Sequence, residues 1–242
     1  MGSRANPAFA MGAVGIPLVA FAVVATVGTR EQHTFVHVMA GVLWTGIDVF
    51  MAMVLGPVLG GLDVEARARF FETFTPKMTF LMPTLASVTI FGGITLAVRM
   101  GLFPNAGPWI GLFVFVSFVT AALVLGWVFD SFDDRRWQLF FVIVTIGNGA
   151  YLLSEIAASE MRLPATRPII VSILGVMVIL TVLGFGFLMP NEILIYKEMI
   201  SENPDTERIG RLGLRNAKLS GVQGVFQIVI IVLMVLLRWG GF

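Results

Sequence analysis

The sequence predicts an all-α fold, a polytopic integral membrane bundle of about seven transmembrane helices. Three observations lead there. Of the 242 residues, 57% are hydrophobic and only 13% charged, where a water-soluble domain carries about a quarter charged. Seven apolar stretches are long enough to cross the ~30 Å hydrocarbon layer of a bilayer. Those stretches are bounded by helix start and stop signals.

The spans are expected near residues 9–28, 33–60, 79–99, 108–129, 137–158, 168–189 and 221–239. The segment Met1 to Pro7 is short and shows no small-residue cleavage site, so the first span reads as a retained helix and not as a signal peptide. After the second span, Asp63 is an acidic cap for a short helix near 63–74, with Phe70, Phe71 and Phe74 as its apolar side. Thr75-Pro76, Gly107-Pro108 and Thr166-Arg167-Pro168 place proline in the first turn of the third, fourth and sixth spans, where its missing N–H costs nothing. Pro83 should bend the third span or lie in its first turns, and Pro190 should close the sixth. Asn203-Pro204-Asp205 opens a helix near 203–220 that runs through Arg208, Arg211 and Arg215 into the last span. The whole of 1–242 reads as one transmembrane domain.

Charge sets the orientation. Arg4, Arg67, Arg69, Lys77, Arg135, Arg136, Lys197, Arg208, Arg211, Arg215 and Lys218 fall on one side, and Arg30, Arg99, Arg162, Arg167 and Arg238 on the other. Eleven against five favours a cytoplasmic N-terminus, an external C-terminus and cytoplasmic short helices at 63–74 and 203–220. Trp109 and Trp239 then fall at the outer interface, and Trp127 and Trp137 at the inner one, as an aromatic belt would place them. The expected location is a cell membrane, with the lipid bilayer as the first partner and a homo-oligomer or a larger membrane complex as further ones. A net charge of +1 gives no case for nucleic acid. The absence of cysteine removes disulfides, thiolate metal sites, iron–sulfur clusters and covalent c-type haem.

Ionisable residues are expensive in lipid and usually face a cavity, a cofactor or a partner. Both histidines lie in the second span, and His33, His37, Trp44 and Asp48 fall within a stripe about 60° wide at 100° per residue. His33 and His37 are one helical turn apart, a spacing at which two imidazoles can reach one metal ion. On the fifth span Asn148, Glu155 and Ser159 share a face, and Glu155 comes out at a depth comparable to His37. Two imidazoles and a carboxylate would suit copper(II) or zinc, provided that the second and fifth spans touch. A bis-histidine haem needs imidazoles on opposite faces of one ring, so a haem b here would use His37 with another ligand, and Trp44 could wall it. Asp48 lies near mid-span, where a charged carboxylate costs ~2.5–3.5 kcal/mol on insertion scales. It is protonated, paired, or part of an ion or proton path, with Thr89, Asn148, Gln223 and Gln227 as polar residues in reach of such a path.

The run His37-x6-Trp44-x-Gly46, followed by Pro57, resembles the first conserved helix of a superfamily of small polytopic membrane proteins. That group includes CopD-type copper-resistance proteins, HemJ-type protoporphyrinogen oxidases and the membrane part of PuuD-type urate oxidases. Lys77, Pro83 and Gly92-Gly93 are similar to the HemJ-type pattern of a basic residue, a proline and a glycine, so the likeness covers roughly residues 33 to 99. It implies a four-helix core with added helices and a redox or metal-related role, with His37 as the haem-associated histidine and Lys77 at the conserved basic position. Lys77 is expected on the cytoplasmic side, away from His37, and His33 adds chelating capacity that suits the copper branch. Three functions follow as expectations. The first is a redox protein that binds haem or copper, a membrane oxidoreductase if it turns over a substrate. The second is a proton- or cation-coupled transporter or channel using Asp48. The third is an accessory subunit of a membrane complex.

Overall fold

The computed structural model describes residues 2–240, and these are helical throughout apart from short connections. Among the described residues seven helices are long and apolar enough to cross a membrane: α1 (Pro7–Thr26), α2 (Arg30–Gly60), α3 (Val64–Arg99), α4 (Ala106–Val128), α5 (Arg135–Ala158), α6 (Pro168–Met199) and α7 (Thr206–Trp239). Two of them contain a π-helical stretch, Met51–Leu55 in α2 and Val182–Leu188 in α6.

Local chemistry explains where they begin. The Asn6 side chain accepts from the Ala8 amide ahead of α1, and Thr29 forms a reciprocal capping box with Gln32 at the start of α2. Asp63 accepts from the Ala66 amide at 2.6 Å, Asp134 from Arg136 at 2.8 Å, and Asp205 from Arg208 at 2.9 Å. Each carboxylate satisfies a donor that a helix start leaves open and meets the positive end of the helix dipole. The Arg67 guanidinium turns back to the end of α2 and donates to the carbonyls of Leu59 and Leu62, both at 2.9 Å. It thereby ties the first turn of α3 to the end of α2, where carbonyls lack their usual helical donors.

Three helices are longer than the sequence suggests. The short helix expected at 63–74 is no separate element, because α3 runs unbroken from Val64 to Arg99 with Pro76 and Pro83 inside it. Pro76 therefore lies well past the first turn. The helix expected near 203–220 is likewise the first part of α7, which continues to Trp239. Pro190 does not end α6, which reaches Met199. The π-helical stretch just before Pro190 already departs from the regular ladder, so a missing donor costs least there.

The residues gather into two compact units. The first comprises residues 1–100 and 191–225; the second comprises 101–190 and 226–242. In the first, α1, α2 and α3 pack on one another. One end of this unit is closed by an apolar core of Leu59, Ala68, Phe71, Ile195, Met199 and Ile209, with Phe70 and Phe74 against it. The three phenylalanines expected as an apolar face therefore do cover a core, in which Phe71 is 2% exposed. In the second unit α4 packs along α5 and against α6, and Trp137 stacks on Phe141 over Gly126. Helix α5 has no buried residue and α1 has only Val24, so both present long apolar faces outward.

Candidate functional site

The polar stripe of α2 is its buried face. His33, His37, Ala40, Trp44 and Asp48 are the residues of the Arg30–Phe50 stretch that lie inside, spaced three or four apart as one side of a helix requires. At one end this stripe meets α3. His37 Nδ1 lies 3.0 Å from the Thr89 carbonyl oxygen. A carbonyl can only accept, so Nδ1 carries the proton and Nε2 keeps its lone pair. The ring rests on Gly92 and Gly93: a Cβ at Gly93 would stand 2.9 Å from His37 Cε1, while one at Gly92 would stand 3.5 Å from the nearest His37 atom.

His33, 1% exposed, faces the next turn of α3, with Nε2 3.3 Å from Thr95 Oγ1. The Thr95 hydroxyl donates its proton to the Phe91 carbonyl at 2.7 Å, so His33 Nε2 is the donor in that contact. His33 Nδ1 is then a sealed acceptor without a hydrogen-bond partner. Phe21 of α1 packs beside this imidazole, ring centres 6.0 Å apart. Each histidine thus has one nitrogen held by α3 and one lone pair left over.

The paired glycines make a graded test. Alanine at Gly93 pushes into His37, and overpacking of this kind costs about 1–3 kcal/mol. Alanine at Gly92 meets ordinary contacts and recovers up to about 1 kcal/mol of helix propensity. Gly93→Ala should lower the thermal unfolding midpoint and Gly92→Ala should hold or raise it. Equal midpoints would show that His37 does not sit in this notch.

At the far end of the stripe Asp48 is fully buried, and Gln223 Nε2 donates to its Oδ2 at 2.8 Å. Helix α7 reaches α2 here through small residues. A Cβ at Gly221 would meet the Ala52 methyl at 2.7 Å, and one at Gly224 would meet Val49 Cγ2 at 3.2 Å. The π-helical stretch Met51–Leu55 follows Asp48 within one turn, and π turns occur often at functional sites.

Gln223 belongs to a buried polar face of α7 made by Asn216, Ser220, Gln223 and Gln227, at intervals of four, three and four residues. Asn216 leads to a second carboxylate. Its Nδ2 donates to Glu192 Oε1 at 2.9 Å, and its Oδ1 accepts from Asn191 Nδ2 at 2.8 Å. Asn191, Glu192, Asn216, Ser220 and Thr75 are the site residues that sequence reasoning misses. For Asn216 and Ser220 the signal is the four-three-four spacing from Asn216 to Gln227, which a span limited to 221–239 cuts short.

The other expected residues have different surroundings. Asn148 and Glu155 are in the second unit. Asn148 donates to its own helix, to the Val144 carbonyl at 2.7 Å. The Glu155 carboxylate fills the space that a side chain at Gly107 would need, and Ser159 donates to the Glu155 backbone carbonyl. Among the described residues no group of three His, Asp or Glu side chains is placed to hold a metal ion. Trp44 is 3% exposed. Compared with known proteins, the chain matches no family model, and no curated protein or solved structure is significantly similar to it.

Proposed function

We propose that this chain is a multi-pass membrane protein that passes protons or monovalent cations by way of Asp48. The observation that carries this reading is the burial of the Asp48 carboxylate midway along α2, with the Gln223 amide on one of its oxygens. Intramembrane carboxylates mark ion and proton paths because their insertion is costly and must be compensated. The membrane setting is supported by seven helices of spanning length and by the outward apolar faces of α1 and α5, which water would not tolerate at that size. The excess of Lys and Arg on one side supports a cytoplasmic N-terminus and an external C-terminus.

The test is ion flux. Purified protein in vesicles loaded with a pH-sensitive dye should acidify or alkalinise the lumen when a potassium diffusion potential is imposed. Flux equal to that of protein-free vesicles, for protons and for sodium and potassium, would overturn the reading.

A second reading has its own observation. The His37 Nδ1 proton is fixed on the Thr89 carbonyl, which leaves the Nε2 lone pair as the one that would bind a metal, the tautomer that a hydrogen-bonded carbonyl gives to ligating histidines. With His33 Nδ1 close by in sequence, this favours haem b or copper at the α2–α3 contact, as the likeness to the CopD, HemJ and PuuD group implies. Such a centre would supply one-electron chemistry. An absorption spectrum of the oxidised and dithionite-reduced protein, with copper analysis on the same sample, separates the two: a reducible Soret band or stoichiometric copper, lost in His37→Ala, would favour the redox reading.

A further inference from the structure

Glu192 lies apart from the Asp48 contact, yet its surroundings are built for a proton. Its Oε1 accepts from Asn216 Nδ2. Its Oε2 and the hydroxyl oxygen of Thr75 are both sealed from solvent, and the fully buried Thr75 side chain is a hydrogen-bonding neighbour of this carboxylate. A buried polar atom left without a partner costs about 1–3 kcal/mol, so each sealed atom demands one.

Thr75 can meet that demand in both protonation states. A hydroxyl donates to a carboxylate and accepts from a carboxylic acid, while Asn216 donates to Oε1 in either case. The site can therefore gain and lose a proton at Oε2 without stranding a polar group. A metal cation finds less here. The amide that reaches Glu192 presents N–H groups to it, and the Asn216 oxygen is already taken by Asn191, whereas hard cations need several oxygen ligands. Of the charged residues along the same helices, Lys197, Arg215 and Lys218 are exposed, and Glu72 and Lys77 are half-buried.

We propose that Glu192, positioned by Asn216 and Thr75, is a second proton-binding carboxylate, joined to Asp48 along the buried face of α7. This rests on the reading of Asp48 as an ion-carrying group and names the ion as a proton. Seven residues of helix separate Asn216 from Gln223, about 10 Å, and Ser220 lies between them on the same face. A proton on Glu192 Oε2 and a proton on Asp48 are thus held at two ends of one line of amide and hydroxyl groups.

The experiment combines vesicle flux with an infrared titration of the full chain. Glu192→Gln keeps the shape and the acceptor for Asn216 but cannot exchange a proton. It should abolish proton flux as Asp48→Asn does, and it should remove a titrating carboxylic-acid band that Asp48→Asn leaves in place. Thr75→Val should slow flux about tenfold, the value of one hydrogen bond to a buried carboxyl group, and Thr75→Ser should restore it. Normal flux in Glu192→Gln with none in Asp48→Asn would overturn the inference and leave the Asp48 reading intact. Normal flux in both variants would overturn both. An infrared band unchanged by Glu192→Gln would overturn the inference even if flux fell, because the loss would then be one of packing.

Discussion

Asp48→Asn should reduce proton or cation flux to that of protein-free vesicles while leaving the protein as stable as the wild type, or more so. The two halves of this expectation have one cause. A carboxylate buried in a low-dielectric interior carries a desolvation cost that a neutral amide of the same shape largely avoids. The contact with α7 can also survive the exchange. Gln223 Oε1 has no hydrogen-bond partner, so a turned Gln223 amide can accept from the side-chain amide that Asp48→Asn introduces. Flux and a thermal unfolding midpoint measured on the same preparation decide the matter. A variant that unfolds at a much lower temperature and conducts normally would make Asp48 a packing residue.

The largest stability effect is expected at the closed end of the first unit. Phe71 is buried among Leu59, Ile195 and Ile209, and its ring occupies the space beside Gly213 in which any Cβ would fall. Phe71→Ala should cost about 3–5 kcal/mol through lost burial and the cavity left behind. Gly213→Ala should also destabilise, since the methyl would collide with an aromatic ring that has no free side to move to. The pair is coupled. In Phe71→Ala the added methyl enters the cavity, so Gly213→Ala should stabilise that background instead of harming it. A double-mutant cycle by chemical unfolding measures this, and additive effects would contradict the contact.

Part of this architecture can be read from residues alone. The stripe of His33, His37, Trp44 and Asp48 is legible because a buried helix face repeats every three or four residues, and the structure buries all four. Asp63 and Asp205 are legible as helix caps because a carboxylate there has a specific task. Proline is where the reading fails. Taking Pro76 as a helix start and Pro190 as a helix end sets Thr75 and Glu192 outside the spans, although both lie within continuous helices. Pro76 and Pro190 are themselves fully buried, and that apolar burial offsets the missing backbone donor. Which helix faces which is not encoded in any short pattern: that Gly93 makes room for His37, or that Gly107 makes room for Glu155, emerges only when the helices are assembled.

The π turn at Met51–Leu55 bears on how this helix tolerates changes of length. Leu59, at the end of α2, is buried, as is His33 near its beginning. Counted at 100° per residue, the roughly 26 steps between them would leave the two side chains about 80° apart around the axis. If the π turn absorbs one residue without rotation, the offset falls to about 20°, so both ends face inward. The turn acts as a phase corrector, of the kind left when a chain gains one residue and the fold keeps its faces aligned. Loss of one residue within 51–55 should accordingly leave the inward face continuous. Loss of one residue between His37 and Asp48 has no such slack, and would carry the imidazoles and the carboxylate to different sides of the helix.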